Sequence, residues 1–377
     1  MAVMANPRLI GVLERYGAED VTKCYHCGNC SATCPFSQEP FLFPRKSMRY
    51  LQMGLEERLK GNLEPWLCYY CGECTEQCPR GAEPGETMMS MRRWLIGQYD
   101  WTGLARLFSR SAFAEIAFVL VIALLTGAGF LAWGFTRGAS LVDYQGFIPA
   151  ADMHVFDLFL GLLFVGLVVT NALRMWWLTM RGERAPSAGP WLYLKHLLLL
   201  PTHFLTQRRY GECSEKTPWV LHMIMALSYL TMLALVALFL HRLQDETWQW
   251  PVHVAGYLAS IGLLTGTAYA LSGRLRRRRT ALKHSHRTDW VFLLMLVYIV
   301  VTGIVQHVLH RLGLGGAANI AYLLHMMGVV PWMIRFPFSK WAHMAYRPLA
   351  FYFSHIQADA MRERSAAGAA VAAQPTV

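Results

Sequence analysis

The stretch CYHCGNCSATCP at 24–35, matched by CYYCGECTEQCP at 68–79, decides how this chain is read. Both follow C-x2-C-x2-C-x3-C-P: Cys24, Cys27, Cys30 and Cys34 before Pro35, then Cys68, Cys71, Cys74 and Cys78 before Pro79. Three thiols on a tight loop suit three corners of an iron–sulfur cube, and Gly28 and Gly72 give the loop its backbone freedom. In paired runs of this kind the fourth cysteine reaches the other cube. The spacing therefore predicts one [4Fe-4S] cluster on Cys24, Cys27, Cys30 and Cys78. A second falls on Cys68, Cys71, Cys74 and Cys34. Zinc needs only two C-x2-C hooks per ion, with no third cysteine and no Cys-Pro. Eight clustered cysteines out of nine do not make a disulfide framework, and they favour a reducing compartment. Cys213 stands apart and reads as an unliganded thiol in a loop.

The rest of the chain is of another kind. It has 377 residues, is 54% hydrophobic and carries a formal net charge of +11. In so apolar a chain the basic excess points to cytoplasmic loops rather than a nucleic-acid surface. The first twenty residues carry acids and lack an unbroken apolar core, unlike a signal peptide. Six apolar runs, at 111–135, 155–178, 218–241, 252–273, 290–310 and 318–336, are each long enough to cross a hydrocarbon core of roughly 30 Å. The run 190–205 is short, is split by Pro201, and reads as interfacial.

Charge orients the spans. Arg181, Arg184, Lys195, Arg208, Arg209 and Lys216 lie between spans two and three, RLRRRRTALKHSHR (274–287) between four and five, and Lys340 and Arg347 after six. The other loops hold single arginines, Arg137, Arg242 and Arg311. The positive-inside rule puts the basic loops, both termini and the cysteines in the cytoplasm. The run 274–287 reads first as this topology signal and second as a dock for an acidic partner.

The expected fold is all-α: a helical ferredoxin-like domain at 1–105, a six-span bundle at 106–355, and a disordered tail at 356–377. Between the cysteine runs, 40–62 reads as a helical insert. Histidines inside spans call for an explanation, because polar groups there are costly. His222 lies one turn into span three, His325 within span six, and His343 just after it. Carried on one helix, His325 and His343 stand roughly 27 Å apart on one face, enough for two stacked haems with one histidine each. Covalent haem is excluded, since C-x-x-C-H does not occur. Asn171, Ser228 and Thr302 read as helix–helix hydrogen bonds. Glu115 and Asp157, near span ends, are too few acids for an ion pump.

Spans two to six resemble the gamma-type cytochrome b family of respiratory nitrate reductase, most specifically in HMMGVVPWMIRFPFSKWAHM (325–344) and PWVLHMIMALSYLTM (218–232). The resemblance implies that His222 and His343 bind an inner b-type haem and His325 an outer one. The family's second histidine on span three is Met232 here, so the outer partner stays open among Met232, His241, His307 and His310. The first hundred residues, with WLCYYCGECTEQCPRG (66–81), resemble the C-type component of heterodisulfide reductases. Joined in this order, the two parts resemble the C-type component of quinone-interacting membrane-bound oxidoreductase complexes. That implies a component passing electrons between cytoplasmic partners and a quinone, menaquinone or ubiquinone, in dissimilatory sulfur metabolism. No G-x-G-x-x-G follows a strand, so a flavin would sit on partners. Heterodisulfide-reductase-A-like flavoproteins and adenylylsulfate reductase are those the resemblance suggests. The alternatives are a haem-free anchor for a ferredoxin domain, or the membrane component of a sulfite reductase-linked or heterodisulfide reductase complex.

Overall fold

The computed structural model describes residues 4–136, 149–181, 188–243, 249–277 and 279–372. Among these residues every element is a helix, and the one extended pairing is a single bridge from Gln38 to Phe41. Arg137, Arg184 and Arg278, three of the orienting charges, lie outside the described residues.

The head is built from short helices. The predicted insert forms Arg45–Gln52 and Glu56–Lys60. The first turns Ser47, Met48 and Leu51 inward and leaves Arg45 and Arg49 exposed, so one stripe meets the core. Pro84–Tyr99 opens on a proline, at a position where a missing N–H costs nothing, and is buried along almost its whole length. Leu13, Phe43, Met48, Leu51, Trp66, Met88 and Trp94 close one core. Each such side chain is worth roughly 1.5–3 kcal/mol of burial.

Six helices are long and apolar enough to cross a membrane: Ala112–Thr136, Ala150–Thr179, Thr217–Leu243, Trp250–Arg276, Arg287–Arg311 and Gly315–Arg335. They coincide with the six apolar runs. Leu124, Phe159, Leu162, Leu238 and Leu258 are each more than half exposed. A continuous apolar exterior of this kind suits lipid, and helices satisfy their own backbone there. The stretch 190–205 forms two short helices, Pro190–Lys195 and Leu199–Thr206, too short to cross.

Two expectations change. His325 and His343 do not share a helix. The sixth span stops at Arg335, followed by the tight turns Phe336–Phe338 and Lys340–Ala342. Pro337 lacks an N–H, and the Ser339 side chain accepts from the Trp341 N–H, capping the next turn. His343 then begins a new helix, His343–Ala372. That helix also takes up most of the stretch expected to be a disordered tail, and Ile356, Gln357 and Ala360 are buried. Its continuation is alanine-rich, the composition that best sustains a helix. Residues 373–377 lie outside the described set.

The last helix returns to the head. Tyr346 meets both Trp66 and Tyr99 at 5.2 Å between ring centres. Gln357 donates to the Thr179 carbonyl at the end of the second span, 2.8 Å away. The basic loop packs on the same head: Thr280 donates to Glu76, His284 pairs with Glu83 at 2.8 Å, and Arg287 donates to the Arg110 carbonyl at 2.6 Å. Glu115 is not a loose span-end acid. It is fully buried and accepts from Arg335 Nε at 2.7 Å, tying the first span to the sixth. Asp289 takes Lys340 at 2.7 Å and Arg274 at 3.6 Å.

Candidate redox centres

The two cysteine loops fold alike. After the first cysteine of each, a left-handed residue (His26, φ 64°; Tyr70, φ 56°) and a left-handed glycine (Gly28, φ 91°; Gly72, φ 97°) wind the chain into a one-turn helix. Cys30 and Cys74 sit inside those turns, Asn29–Ala32 and Glu73–Glu76. The repeat of backbone geometry is what the repeat of spacing requires.

The sulfurs gather in crossed sets. Cys24 lies within electrostatic reach of Cys27 and Cys78, and Cys30 of Cys24, Cys27 and Cys78. Cys34 lies in reach of Cys68 and Cys71, and Cys74 of Cys68, Cys71 and Cys34, with Cys30 a further neighbour. Cys34, Cys68, Cys71 and Cys74 line one pocket. Among the described residues, no three Cys, His, Asp or Glu side chains converge on a single metal ion. Burial, then the neighbouring sulfurs, pushes the Cys30 thiol up to about 11 and Cys34 up to about 12. A bound cation reverses that, because a coordinating thiol is deprotonated outright. The Tyr70 and Ala82 N–H groups point at Cys68 and Cys78 sulfur, each at 3.4 Å.

Cys213 has a neighbour that its sequence position does not reveal. Its thiol is buried and lies near enough to Cys71 to hold that thiol below its ordinary value. Ser214 N–H donates to Glu73 at 3.0 Å and pins the same loop there.

The histidines divide into an inner and an outer group. His222 and His343 face each other with ring centres 6.2 Å apart and planes at 35°. They line one cavity with Met225, Tyr229, Trp341 and Arg347. A first-row metal lies roughly 2 Å from an imidazole nitrogen. The ring centre is about 1 Å farther, so two axial rings across one iron stand about 6 Å apart. His343 Nδ1 donates to the Lys340 carbonyl at 2.6 Å, which leaves Nε2 for the cavity. These residues fit a haem.

His325 meets Thr302 Oγ1 at 3.1 Å through Nδ1 and presses on Gly303, where an added Cβ would come within 3.1 Å of the ring. Thr302 is therefore a hydrogen-bond partner across helices, as its type suggested. His307 stacks on His253 at 4.9 Å and takes the Tyr257 hydroxyl at 2.8 Å on Nδ1. His253 was not a sequence candidate, since nothing local marks a contact between the fourth and fifth spans. Met232 packs in the cluster around Trp332 and Trp341. The side chain of His241 lies outside the described residues.

The two halves meet at Arg347. Its guanidinium donates to the Cys68 carbonyl at 3.3 Å, sits 4.0 Å above the Tyr69 ring, and lines the His222–His343 cavity. A parallel line of rings runs from Tyr69 to Tyr210 at 5.4 Å and from Tyr210 to His222 at 5.8 Å.

Comparison with known proteins agrees with the head alone. Residues 20–82 match the 4Fe-4S dicluster domain. The chain is 35% identical over 99 residues to a protein of Archaeoglobus profundus that is like the C-type component of heterodisulfide reductase. That alignment covers 26% of this chain and 53% of the relative, so the chain spans about half the length of the curated relative it matches. No solved structure matches. An iron–sulfur dicluster domain thus precedes six membrane-capable helices, the make-up of a membrane redox subunit.

Proposed function

We propose that this chain passes electrons between cytoplasmic iron–sulfur or flavoprotein partners and a membrane quinone. Cys24, Cys27, Cys30 and Cys78 would hold one [4Fe-4S] cluster, and Cys68, Cys71, Cys74 and Cys34 the other. His222 and His343 would hold an inner b-type haem, and His325 an outer one. When bound, these groups supply one-electron steps that link to the two-electron chemistry of a quinone. The head would form one domain and the six spans a second, with both termini in the cytoplasm. In support, the basic loop 274–287 and the last helix pack against the same head. The name of the matched relative favours a heterodisulfide reductase-type complex, and a role in sulfur metabolism follows the same line.

One observation carries the reading. Arg347 touches the carbonyl of Cys68 and also lines the cavity between His222 and His343. A mere anchor has no use for a residue in both places. Tyr69 and Tyr210 lie between the Cys68 loop and His222 as a line of packed rings.

The test is a count on the purified chain: iron, acid-labile sulfide and pyridine haemochrome. The reading expects about eight cluster irons and one or two b haems. Clusters without any b-type absorbance would leave an anchor in its place.

A further inference from the structure

Buried charges in proteins are paired, because leaving one bare costs several kcal/mol. Three arginines around the second cysteine loop depart from this. Arg92 is buried; it donates to the Pro65 carbonyl at 2.5 Å and to the Cys68 carbonyl. Arg347 is half-buried and donates to that same Cys68 carbonyl. Arg209 is half-buried between the Phe36 and Phe351 rings, at 5.4 and 5.5 Å. Among the described residues none of the three makes an ion pair with a carboxylate. Of the acids on the loop, Glu73 accepts from the Ser214 N–H and Glu76 from Thr280. Three cations thus share a site whose other occupants are carbonyls, rings and thiols.

The first loop is set differently. Arg45 donates to the His26 carbonyl at 3.0 Å but is exposed to water. Lys23 is held by Asp20 at 2.6 Å, and Glu83 stands close by with His284. Charge near that loop is solvated or balanced, and water screens what is left.

A four-thiolate iron–sulfur cluster is a net anion, and reduction adds one more negative charge. Buried cations favour the reduced state far more than exposed ones do, since little water lies between. We infer that Arg92, Arg209 and Arg347 make the second cluster the more readily reduced of the two, so that an electron in the head rests beside the His222–His343 cavity. The inference rests on the two proposed clusters and adds an order to them: the Cys24 loop faces the partner, and the Cys68 loop faces the membrane centre. Nothing covalent changes; one electron moves, and the arginines stay protonated.

The experiment is a potentiometric titration of the purified full-length chain followed by electron paramagnetic resonance, after iron and sulfide have been counted. Cys74→Ser should abolish the higher-potential signal and Cys27→Ser the lower. Arg347→Gln and Arg209→Gln should each lower the higher potential, with the sum approaching a tenfold change in the reduction equilibrium, about 59 mV for one electron. The lower signal should stay put, and Arg347→Lys should stay near wild type because it keeps the charge. The inference is overturned if the higher signal is lost in Cys27→Ser instead. It is also overturned if the glutamine variants move both signals equally or neither, or if lysine behaves as glutamine does. A wild-type chain without cluster iron and sulfide would instead overturn the functional proposal itself, which the count reveals before any titration.

Discussion

His222 faces His343 across 6.2 Å, ring centre to ring centre, although 121 positions separate them in the chain. One comes from the third span and the other from the helix that follows the sixth, so only the assembled bundle makes the pair. His222→Ala or His343→Ala should each remove the proposed inner haem. Haemochrome per chain should fall by one while cluster iron and sulfide hold at wild-type levels. Full haem in both variants would sink the ligand assignment.

Gly72 adopts φ 97°, and an added Cβ would lie 3.1 Å from Thr280 of the basic loop. Gly72→Ala therefore meets two penalties, the left-handed backbone at about 1–2 kcal/mol and the crowding. Iron per chain should fall toward half, with the second cluster's signal lost first. Gly81→Ala is the control: it also has positive φ but nothing within 4 Å, so it should retain more iron.

Cys213 lies near Cys71 but stands outside both crossed sets. Cys213→Ser should keep the full complement of iron and sulfide, whereas Cys34→Ser should lose about one cluster's worth. Loss of iron in Cys213→Ser equal to that in Cys34→Ser would make Cys213 a ligand and undo the crossed assignment.

Glu115 and Arg335 are both almost wholly buried, and each leaves the other bare if removed. Glu115→Gln should destabilise the solubilised chain by about 3–5 kcal/mol, read as a fall in thermal midpoint. Glu115→Leu combined with Arg335→Leu should recover much of the loss, since neither charge is then stranded. A Glu115→Gln midpoint equal to wild type would mean the pair does not clamp the first span to the sixth.

His203, at the rim of the inner cavity, stacks on Phe351 at 4.4 Å. Burial, helped by Arg347 and Arg209, pushes it down to about 3. A depressed histidine is neutral when folded but protonates in the unfolded chain near 6.5. Its stabilising effect is thus full above 6.5 and is lost as pH falls from there toward about 3. His203→Phe should flatten the acid side of the stability profile between pH 6.5 and 4.5 relative to wild type. Cluster lability in acid is common to both chains and cancels in the difference. Superimposable profiles would refute the assignment.

The cysteine pattern was legible because ligand spacing on a tight loop is a local property, written in a few consecutive intervals. The spans were legible because an apolar helix must run unbroken through lipid. The break at Phe336–Ala342 was not, since prolines mark a bend without giving its size. The pairings of Cys213 with Cys71 and His253 with His307 join distant segments, and no local pattern encodes them. The arginine-rich run 274–287 reads, from sequence, as a signal of sidedness. Its docking on Glu76 and Glu83 depends on the head being folded beneath it. The alanines near the end look like low complexity, yet they extend a helix whose earlier turns are fixed by packing.

The closing helix has a consequence for how the molecule matures. Trp66 and Tyr99 find their aromatic partner in Tyr346, which is synthesised nearly 250 positions after Tyr99. At about 5–20 residues per second, a ribosome needs roughly ten seconds to most of a minute to cover that distance. For that interval the nascent head is unfinished while its spans are already entering the bilayer. Assembly factors that deliver iron and sulfide would meet a half-closed receptor, which the helix carrying Tyr346 would later shut.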